Sequence, residues 1–350
     1  MTFYPLIRAL LFKLNPEAAH QLTLSMVHLA GEFQPLDGLL RRMYGAPQFP
    51  VEAFGLTFTN PIGLAAGYDK DGLGWKGLSC LGFGHIEIGT VTPKPQLGNP
   101  KPRLFRLPED KALINRMGFP GKGADFVLEQ ISKPRPKDLV LGVNIGKNKD
   151  TPLEDAPADY LYLLRVFYNQ ADYLAVNVSS PNTVGLRQLQ ERQELDQLLK
   201  ELSAERERLR QSTSQHVPIL VKLAPDLTDA QLDDALEVIL ANHMDGVIAT
   251  NTTILRQGLN SPLAAQQGGL SGRPLLNLSL SMLKKIQERT AGKLPVIGVG
   301  GISNGAGVQR MMDAGAVLVQ IYTGLIYEGP GLVKQILQES QSAPTAGKSS

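Results

Sequence analysis

Residues 172–182 read DYLAVNVSSPN, a short run of mostly apolar residues that ends in a cluster of small polar ones. Seven other stretches have the same form, and most of the chain between them shows helical spacing of its apolar residues. The eight predicted strands are residues 61–66, 85–91, 139–145, 172–178, 218–223, 246–251, 295–299 and 317–321. The clearest predicted helices are residues 158–170, 191–211, 228–241, 275–290 and 304–314. Strands that alternate with helices in this way form a parallel sheet covered on its outside.

Eight such strand–helix units favour a (β/α)8 TIM barrel, which typically takes about 250 residues. A doubly wound open sheet is the alternative, but about six strands usually complete that fold. We therefore expect a barrel domain over residues 46–340, preceded by a separate segment at residues 1–45. Residues 341–350 are small and polar, and they predict a disordered tail.

The N-terminal segment predicts two helices. In the first, apolar residues recur at helical spacing with few charges between them. Asn15 is placed to cap the second helix, Pro16 to begin it and Gly31 to end it. Its apolar stripe consists of Ala18, Leu22, Met26 and Leu29. This pair either packs on the barrel or forms an interfacial anchor and hydrophobic access port.

Composition limits the functions that this chain can have. The 35 basic and 33 acidic residues give a net charge of +2, which argues against a nucleic-acid-binding protein. A single cysteine, Cys80, excludes an intramolecular disulfide and a cysteine-based metal cage. The first residues lack the features of a secretory signal, and no apolar run is long enough to span a bilayer.

Every predicted strand ends in a group that can hydrogen-bond or approach a ligand closely. These ends carry Asp69 and Lys70, Thr90, Asn144, Asn177 and Ser180, Lys222, Thr250 to Thr252, Gly300 and Gly301, and Tyr322 and Thr323. The active sites of such barrels lie at the carboxyl ends of the strands, and phosphate often binds after strands 7 and 8. We therefore expect a ligand site there, with the glycines at 298–301 near an anion.

Asparagine recurs at these positions, and its amide both donates and accepts hydrogen bonds. Asparagines at 115, 144, 177, 182 and 251 would match a planar ligand such as a pyrimidine or a flavin edge. The five histidines (His20, His28, His85, His216 and His243) are expected to lie away from the mouth. A Ser-His-Asp hydrolase would then have no base.

Nine collinear segments resemble the dihydroorotate dehydrogenase family. They are LAAGYDK (64–70), IGTVTP (88–93), NRMGF (115–119), NVSSPNT (177–183), VKLAPD (221–226), TNT (250–252), GLSGRP (269–274), VGGI (299–302) and QIYTG (320–324). The resemblance extends over essentially the whole chain to about residue 340. Tyr68 stands where leucine or phenylalanine is common in the family.

The resemblance is to class 2, the membrane-associated, quinone-reducing type. Class 1 enzymes have a cysteine base where this chain has Ser180, and they lack an N-terminal helical extension. Eukaryotic class 2 proteins carry a presequence and a spanning helix, so a bacterial enzyme is implied. The alternative within the family is a class 1 enzyme that uses fumarate or NAD. Other rivals are a flavin barrel acting on tRNA, a Schiff-base aldolase using Lys222, and a membrane scaffold.

The resemblance implies oxidation of (S)-dihydroorotate to orotate in pyrimidine biosynthesis, with one FMN per chain and Ser180 as the base. The implied cofactor-binding residues are Ala66, Gly67, Tyr68, Asp69, Lys70, Thr90, Asn144, Asn177, Lys222, Thr250, Gly272, Gly301, Tyr322 and Thr323. The implied substrate-binding residues are Lys70, Asn115, Arg116, Met117, Gly118, Phe119, Asn177, Asn182, Asn251 and Thr252. It further implies a monomer without metal, bound peripherally to the cytoplasmic face of a bacterial inner membrane through residues 1–45.

Overall fold

The computed structural model describes residues 3–342, and its centre is a closed barrel of eight parallel strands. In chain order these are β3 (Ile62–Leu64), β4 (His85–Val91), β7 (Val140–Ile145), β8 (Tyr173–Asn177), β9 (Ile219–Leu223), β10 (Gly246–Ala249), β12 (Val296–Val299) and β13 (Ala316–Ile321). Each strand pairs with the next, and β13 closes the barrel against β3. The predicted fold and all eight predicted strands are confirmed.

Helices cover the outside of the barrel. They are α4 (Trp75–Ser79), α5 (Ala124–Ile131), α6 (Ala156–Phe167), α7 (Arg192–Thr213), α8 (Asp229–Ala241), α9 (Leu276–Thr290), α10 (Gly305–Asp313), α11 (Thr323–Glu328) and α12 (Leu332–Ser342). The five predicted helices correspond to α6 to α10. Thr228 caps α8 in a reciprocal capping box with Gln231, and Asn304 caps α10, so local side-chain bonds set where both helices begin.

Within the described residues, two small sheets lie outside the barrel, and neither was predicted. The hairpin of β1 (Val51–Ala53) and β2 (Leu56–Phe58) buries Phe58 against residues at the amino ends of the barrel strands. An antiparallel sheet joins β5 (Leu104–Leu107), β6 (Ala112–Asn115) and β11 (Gly269–Gly272). Because β6 and β11 belong to different barrel loops, their pairing brings those two loops together beside the mouth.

The N-terminal segment contains three helices rather than the predicted two. They are α1 (Tyr4–Leu11), α2 (Pro16–Glu32) and α3 (Gln34–Tyr44). Asn15 caps α2 as predicted, through a bond of 3.0 Å from the backbone N–H of Glu17. Gly31 does not end this helix: a Cβ there would lie 2.5 Å from the backbone nitrogen of Gly77. The glycine therefore serves the close packing of α2 on α4.

The predicted apolar stripe of α2 faces outward. Leu22, Met26 and Leu29 are 46%, 62% and 61% exposed, whereas Ala19 and Ala30 on the other face are buried. Further large apolar side chains are exposed on the neighbouring helices, namely Phe3, Leu6, Ile7, Leu10, Leu14, Phe33, Leu39 and Met43. Monomeric soluble proteins rarely expose so many large apolar side chains together, so this outer face is a candidate binding surface.

The predicted tail at 341–350 begins inside α12, which continues through Ser342, and residues 343–350 lie outside the described part of the chain. Within residues 3–342, the helices are all too short or too polar to cross a bilayer.

Candidate active site

A cavity of about 1120 Å³, including its open mouth, lies at the carboxyl ends of the barrel strands. Most of the predicted site residues line it. They are Ala66, Gly67, Lys70, Thr90, Asn115, Met117, Gly118, Phe119, Asn177, Ser180, Asn182, Lys222, Thr250, Asn251, Thr252, Gly272, Gly301, Tyr322 and Thr323. The topology thus gathers, around one space, residues that are more than 250 positions apart in the chain.

Four predicted site residues lie outside this lining. Asp69 accepts hydrogen bonds from the backbone N–H groups of Leu73 (2.9 Å) and Gly74 (2.7 Å), and so shapes the turn before α4. Burial raises the pKa of the Asp69 carboxyl. The guanidinium of Arg116 lies over the ring of Phe105 in β5, 4.7 Å from its centroid.

The other two, Asn144 and Tyr68, contact residues next to the cavity but do not line it. Asn144 is completely buried and accepts a hydrogen bond of 2.6 Å from the Thr90 hydroxyl, so it supports a residue that lines the cavity. The Tyr68 hydroxyl lies 3.3 Å from that of Thr23 on α2. Tyr68 therefore joins the barrel to the N-terminal helices.

The predicted asparagines form hydrogen-bonded chains along the cavity wall. The side chain of Asn251 donates to Asn177 Oδ1 (3.1 Å), and Asn177 donates to Thr90 Oγ1 (2.8 Å). Asn182 donates to Asn115 Oδ1 at 3.0 Å. These bonds fix which way each amide is turned, so the wall has an ordered pattern of donors and acceptors before any ligand arrives.

A buried ion pair lies beneath the cavity. Lys222 Nζ is 3.0 Å from Glu87 Oε1, and both side chains are almost inaccessible to solvent. Gln320 and Asn144 also donate to the Glu87 carboxylate, at 2.8 and 2.9 Å. Burial alone would raise the pKa of Glu87, but Lys222 and these donors outweigh it and hold that pKa below its ordinary value. Glu87 was not predicted as a site residue, although a carboxylate within an apolar strand indicates a buried partner.

Lys70 is the other cavity lysine. Its ammonium donates to the backbone carbonyl of Gly67, within the loop that follows β3. Burial lowers the pKa of Lys70 to about 8, although the nearby carboxylate of Asp71 opposes that shift. The lysine therefore loses its charge at a pH close to the neutral range.

The expectation that all five histidines lie away from the mouth is wrong for His20. Its ring lies edge-on to Tyr68, with centroids 5.1 Å apart, and it lines the cavity from α2. Burial lowers the pKa of His20 to about 3, with a smaller contribution from the charge of Lys70. The imidazole is therefore neutral at physiological pH. Since His20 belongs to α2, the cavity reaches the N-terminal helices.

Ser180 is buried and lines the cavity from the loop after β8. Its Oγ accepts a weak hydrogen bond of 3.3 Å from the backbone N–H of Asn182. Thr183, three residues later, has a buried hydroxyl without a hydrogen-bond partner among residues 3–342. The loop therefore presents the Ser180 hydroxyl to the cavity.

Glycines form a narrow backbone cradle at one end of the cavity. A Cβ on Gly272 would lie 2.4 Å from the Lys111 carbonyl oxygen, and one on Gly301 would lie 2.5 Å from the Leu276 nitrogen. Both residues have positive φ angles, +97° and +75°, which favour glycine. Such a cradle lets backbone N–H groups approach an anion. The hydroxyls of Ser271 and Thr323, 2.8 Å apart, add donors at the same end. Ser271 was not among the predicted site residues.

Comparison with known proteins identifies the family of this chain. The model of the family described as dihydroorotate dehydrogenase matches residues 49–343. The "dihydroorotate dehydrogenase (quinone)" of Cellvibrio japonicus is 50% identical over 94% of this chain and 96% of its own length. That of Edwardsiella ictaluri is 50% identical over 96% of this chain and 99% of its own length.

A solved structure has the same fold. DHODH from Eimeria tenella, in complex with ferulenol, superposes with a TM-score of 0.82 at 38% identity. The match covers 93% of this chain and 90% of the Eimeria chain. Family model, curated relatives and solved structure agree over nearly the full length: this chain belongs to the dihydroorotate dehydrogenase family.

Proposed function

We propose that this chain oxidises (S)-dihydroorotate to orotate, with FMN as hydride acceptor and a membrane quinone as the terminal electron acceptor. The reaction is a step of de novo pyrimidine synthesis. The observation that carries the proposal is one cavity that combines amide groups, two lysines and a glycine cradle, and that extends to a histidine on the N-terminal helices. The relatives named above are quinone-dependent, which favours this reaction over the fumarate- or NAD-linked alternative.

The residues present fit one FMN. The cradle of Gly272 and Gly301, with the Thr323 hydroxyl beside it, suits a phosphate dianion. Lys222, held by Glu87, presents a fixed ammonium to the cavity. The remaining proposed contacts are Ala66, Gly67, Lys70, Thr90, Asn177, Thr250 and Tyr322, which line the cavity, with Tyr68, Asp69 and Asn144 supporting them from outside the lining. A bound flavin would supply the hydride acceptor, which none of the amino-acid side chains can provide.

The amide wall suits dihydroorotate. Asn115, Asn182 and Asn251 offer donors and acceptors to the N–H and C=O edges of a dihydropyrimidine ring. Lys70 offers a positive charge to the substrate carboxylate. The proposed set is completed by Asn177, Thr252 and the segment that contains Arg116, Met117, Gly118 and Phe119.

We assign Ser180 as the base. Oxidation breaks two C–H bonds: the C5 hydrogen leaves as a proton, and the C6 hydrogen leaves as a hydride with its electron pair. Ser180 Oγ would take the C5 proton, and water in the open cavity would carry the proton of the serine hydroxyl away. A serine hydroxyl is a weak base, so the reaction depends on how accurately this loop is held.

The N-terminal helices are proposed to give the quinone access. Their outer face is apolar, and their inner face carries His20 into the cavity wall. A lipid-soluble quinone could therefore reach the site without leaving an apolar surface. Residues 1–45 would thus hold a monomeric enzyme on the cytoplasmic face of a bacterial inner membrane, in peripheral contact with the bilayer.

Orotate binding is expected to weaken with alkaline pH through Lys70. The pKa near 8 leaves Lys70 mostly charged at pH 7 and mostly neutral at pH 9, so affinity should fall about tenfold across that interval. Titration of the flavin absorbance with orotate at each pH measures this. In Lys70→Met, the fall in orotate affinity that is due to Lys70 should disappear. In Lys293→Met, which changes an exposed lysine, the fall should remain as in wild type. Equal pH dependence in wild type and Lys70→Met would contradict the assignment.

The proposed function is tested by anaerobic spectroscopy of the purified holoenzyme. Dihydroorotate is expected to bleach the visible flavin bands. A ubiquinone analogue should then restore them, whereas fumarate and NAD should not. A flavin that dihydroorotate leaves unbleached would contradict the substrate, and recovery with fumarate or NAD would contradict the acceptor.

A further inference from the structure

Arg187 joins three loops of the barrel mouth. It lies on a short 3₁₀ helix, Leu186–Gln190, that follows the loop carrying Ser180. Its guanidinium donates through Nε to the Ser179 carbonyl (3.0 Å) and through Nη2 to the Thr252 carbonyl (3.0 Å). Its Nη1 is 2.8 Å from Asp226 Oδ2. These acceptors follow β8, β10 and β9, respectively.

Asp226 extends the same connection. Besides Arg187, its carboxylate accepts hydrogen bonds from the Thr253 hydroxyl and from the backbone N–H of Ile254. The 3₁₀ helix is tied to the loop after β9 a second time, because Gln190 Oε1 accepts from the backbone N–H of Ala224 at 2.9 Å. Arg187 is therefore the centre of a hydrogen-bond network that fixes these loops relative to one another.

We propose that Arg187 is a positioning residue that sets Ser180 against the substrate held by Asn251 and Thr252. The proposal rests on the functions proposed above for those three residues. The Ser179 carbonyl belongs to the peptide bond that leads into Ser180, so holding that oxygen limits the rotation that could swing the serine away. The bond to the Thr252 carbonyl holds the neighbouring loop, which carries Asn251 and Thr252, in the same way.

Only arginine suits this position. Its planar guanidinium carries five donors in a fixed fork, so one side chain can bond a carboxylate and two carbonyls at once. Lysine would keep the attraction to Asp226, but its single ammonium could not hold both carbonyls in the same geometry. Because displacements of about 1 Å can cost about 10²-fold in rate, loss of this hold should slow proton abstraction.

The first test compares Arg187→Lys with wild type by anaerobic stopped-flow at saturating dihydroorotate. We expect the limiting rate of flavin bleaching to fall at least tenfold, with FMN content and reoxidation by a quinone analogue within twofold of wild type. Arg192→Lys is the matched control, because the ion pairs of Arg192 with Asp234 and Glu237 are exposed to solvent. An unchanged limiting rate in Arg187→Lys would overturn the proposal.

A double-mutant cycle separates positioning from a general loss of structure. If Arg187 acts through Ser180, adding Arg187→Lys to Ser180→Ala should change the residual bleaching rate less than twofold. If the rate losses of the two single variants multiply in the double variant, Arg187 acts independently of Ser180, and the proposal is overturned. Should Arg187→Lys fail to fold, Asp226→Asn takes its place in the cycle with the same expected results. A normal rate in Ser180→Ala alone would instead contradict the proposed base.

Discussion

Ser180→Ala should bleach with dihydroorotate about 10²- to 10⁴-fold more slowly than wild type at neutral pH, the range usual for loss of a general base. Ser180 lines the cavity, and His20 enters that cavity from α2, on the side of the N-terminal helices. The pKa of His20, near 3, leaves it a neutral ring with little basicity, so it would not replace the serine. The measurement is the limiting bleaching rate in anaerobic stopped-flow.

A second role for Ser180 makes the control important. Its Oγ accepts a backbone hydrogen bond from Asn182, as serines in turns often do. A turn role alone predicts a lower melting temperature with a bleaching rate close to wild type. The proposed role as base predicts a much slower bleaching rate with a melting temperature close to wild type. FMN content should stay the same, because the proposed cofactor contacts do not include Ser180. Ser132→Ala, at an exposed helix end, controls for loss of a hydroxyl elsewhere.

The barrel could be predicted from the sequence because each strand–helix unit has a local pattern of apolar residues and that pattern is repeated eight times. Each strand is a short apolar run buried on both faces, and each ends in polar residues at one edge, so the position of the site followed from the fold. The same reasoning could not find the sheet of β5, β6 and β11, whose strands have four residues each. Its pairing joins residues such as Asn115 and Gly269 that are far apart in the chain.

Side-chain direction was harder to predict than position. The segment LAAGYDK does reach the mouth, yet Asp69 turns back to bond the backbone before α4 while Lys70 lines the cavity. His20 was misplaced for a related reason. A histidine on an amphipathic helix gives no local sign of which face docks, and this one became part of the site because α2 packs beside Tyr68. Gly31 was predicted to end α2, but the helix ends one residue later, at Glu32, and Gly31 instead allows the close approach of α2 to α4.

The exposed stripe of α2 yields the other large expected effect. Replacing Leu22, Met26 and Leu29 together with glutamine should abolish most binding to lipid vesicles. Full burial of such a side chain contributes about 1.5–3 kcal/mol; with about 1 kcal/mol each at a bilayer surface, the three contribute about 3 kcal/mol. That corresponds to a roughly 100-fold loss of vesicle affinity, measured by co-sedimentation.

The triple variant also separates quinone access from chemistry. Because the substituted side chains point away from the barrel, bleaching by dihydroorotate should stay within twofold of wild type. Reoxidation by a long-chain quinone embedded in vesicles should fall with vesicle binding, whereas reoxidation by a water-soluble analogue should persist. Leu240→Gln, a partly exposed leucine on α8, is the matched control and should behave as wild type. Undiminished vesicle binding by the triple variant would show that the outer face of α2 is not the membrane-binding surface.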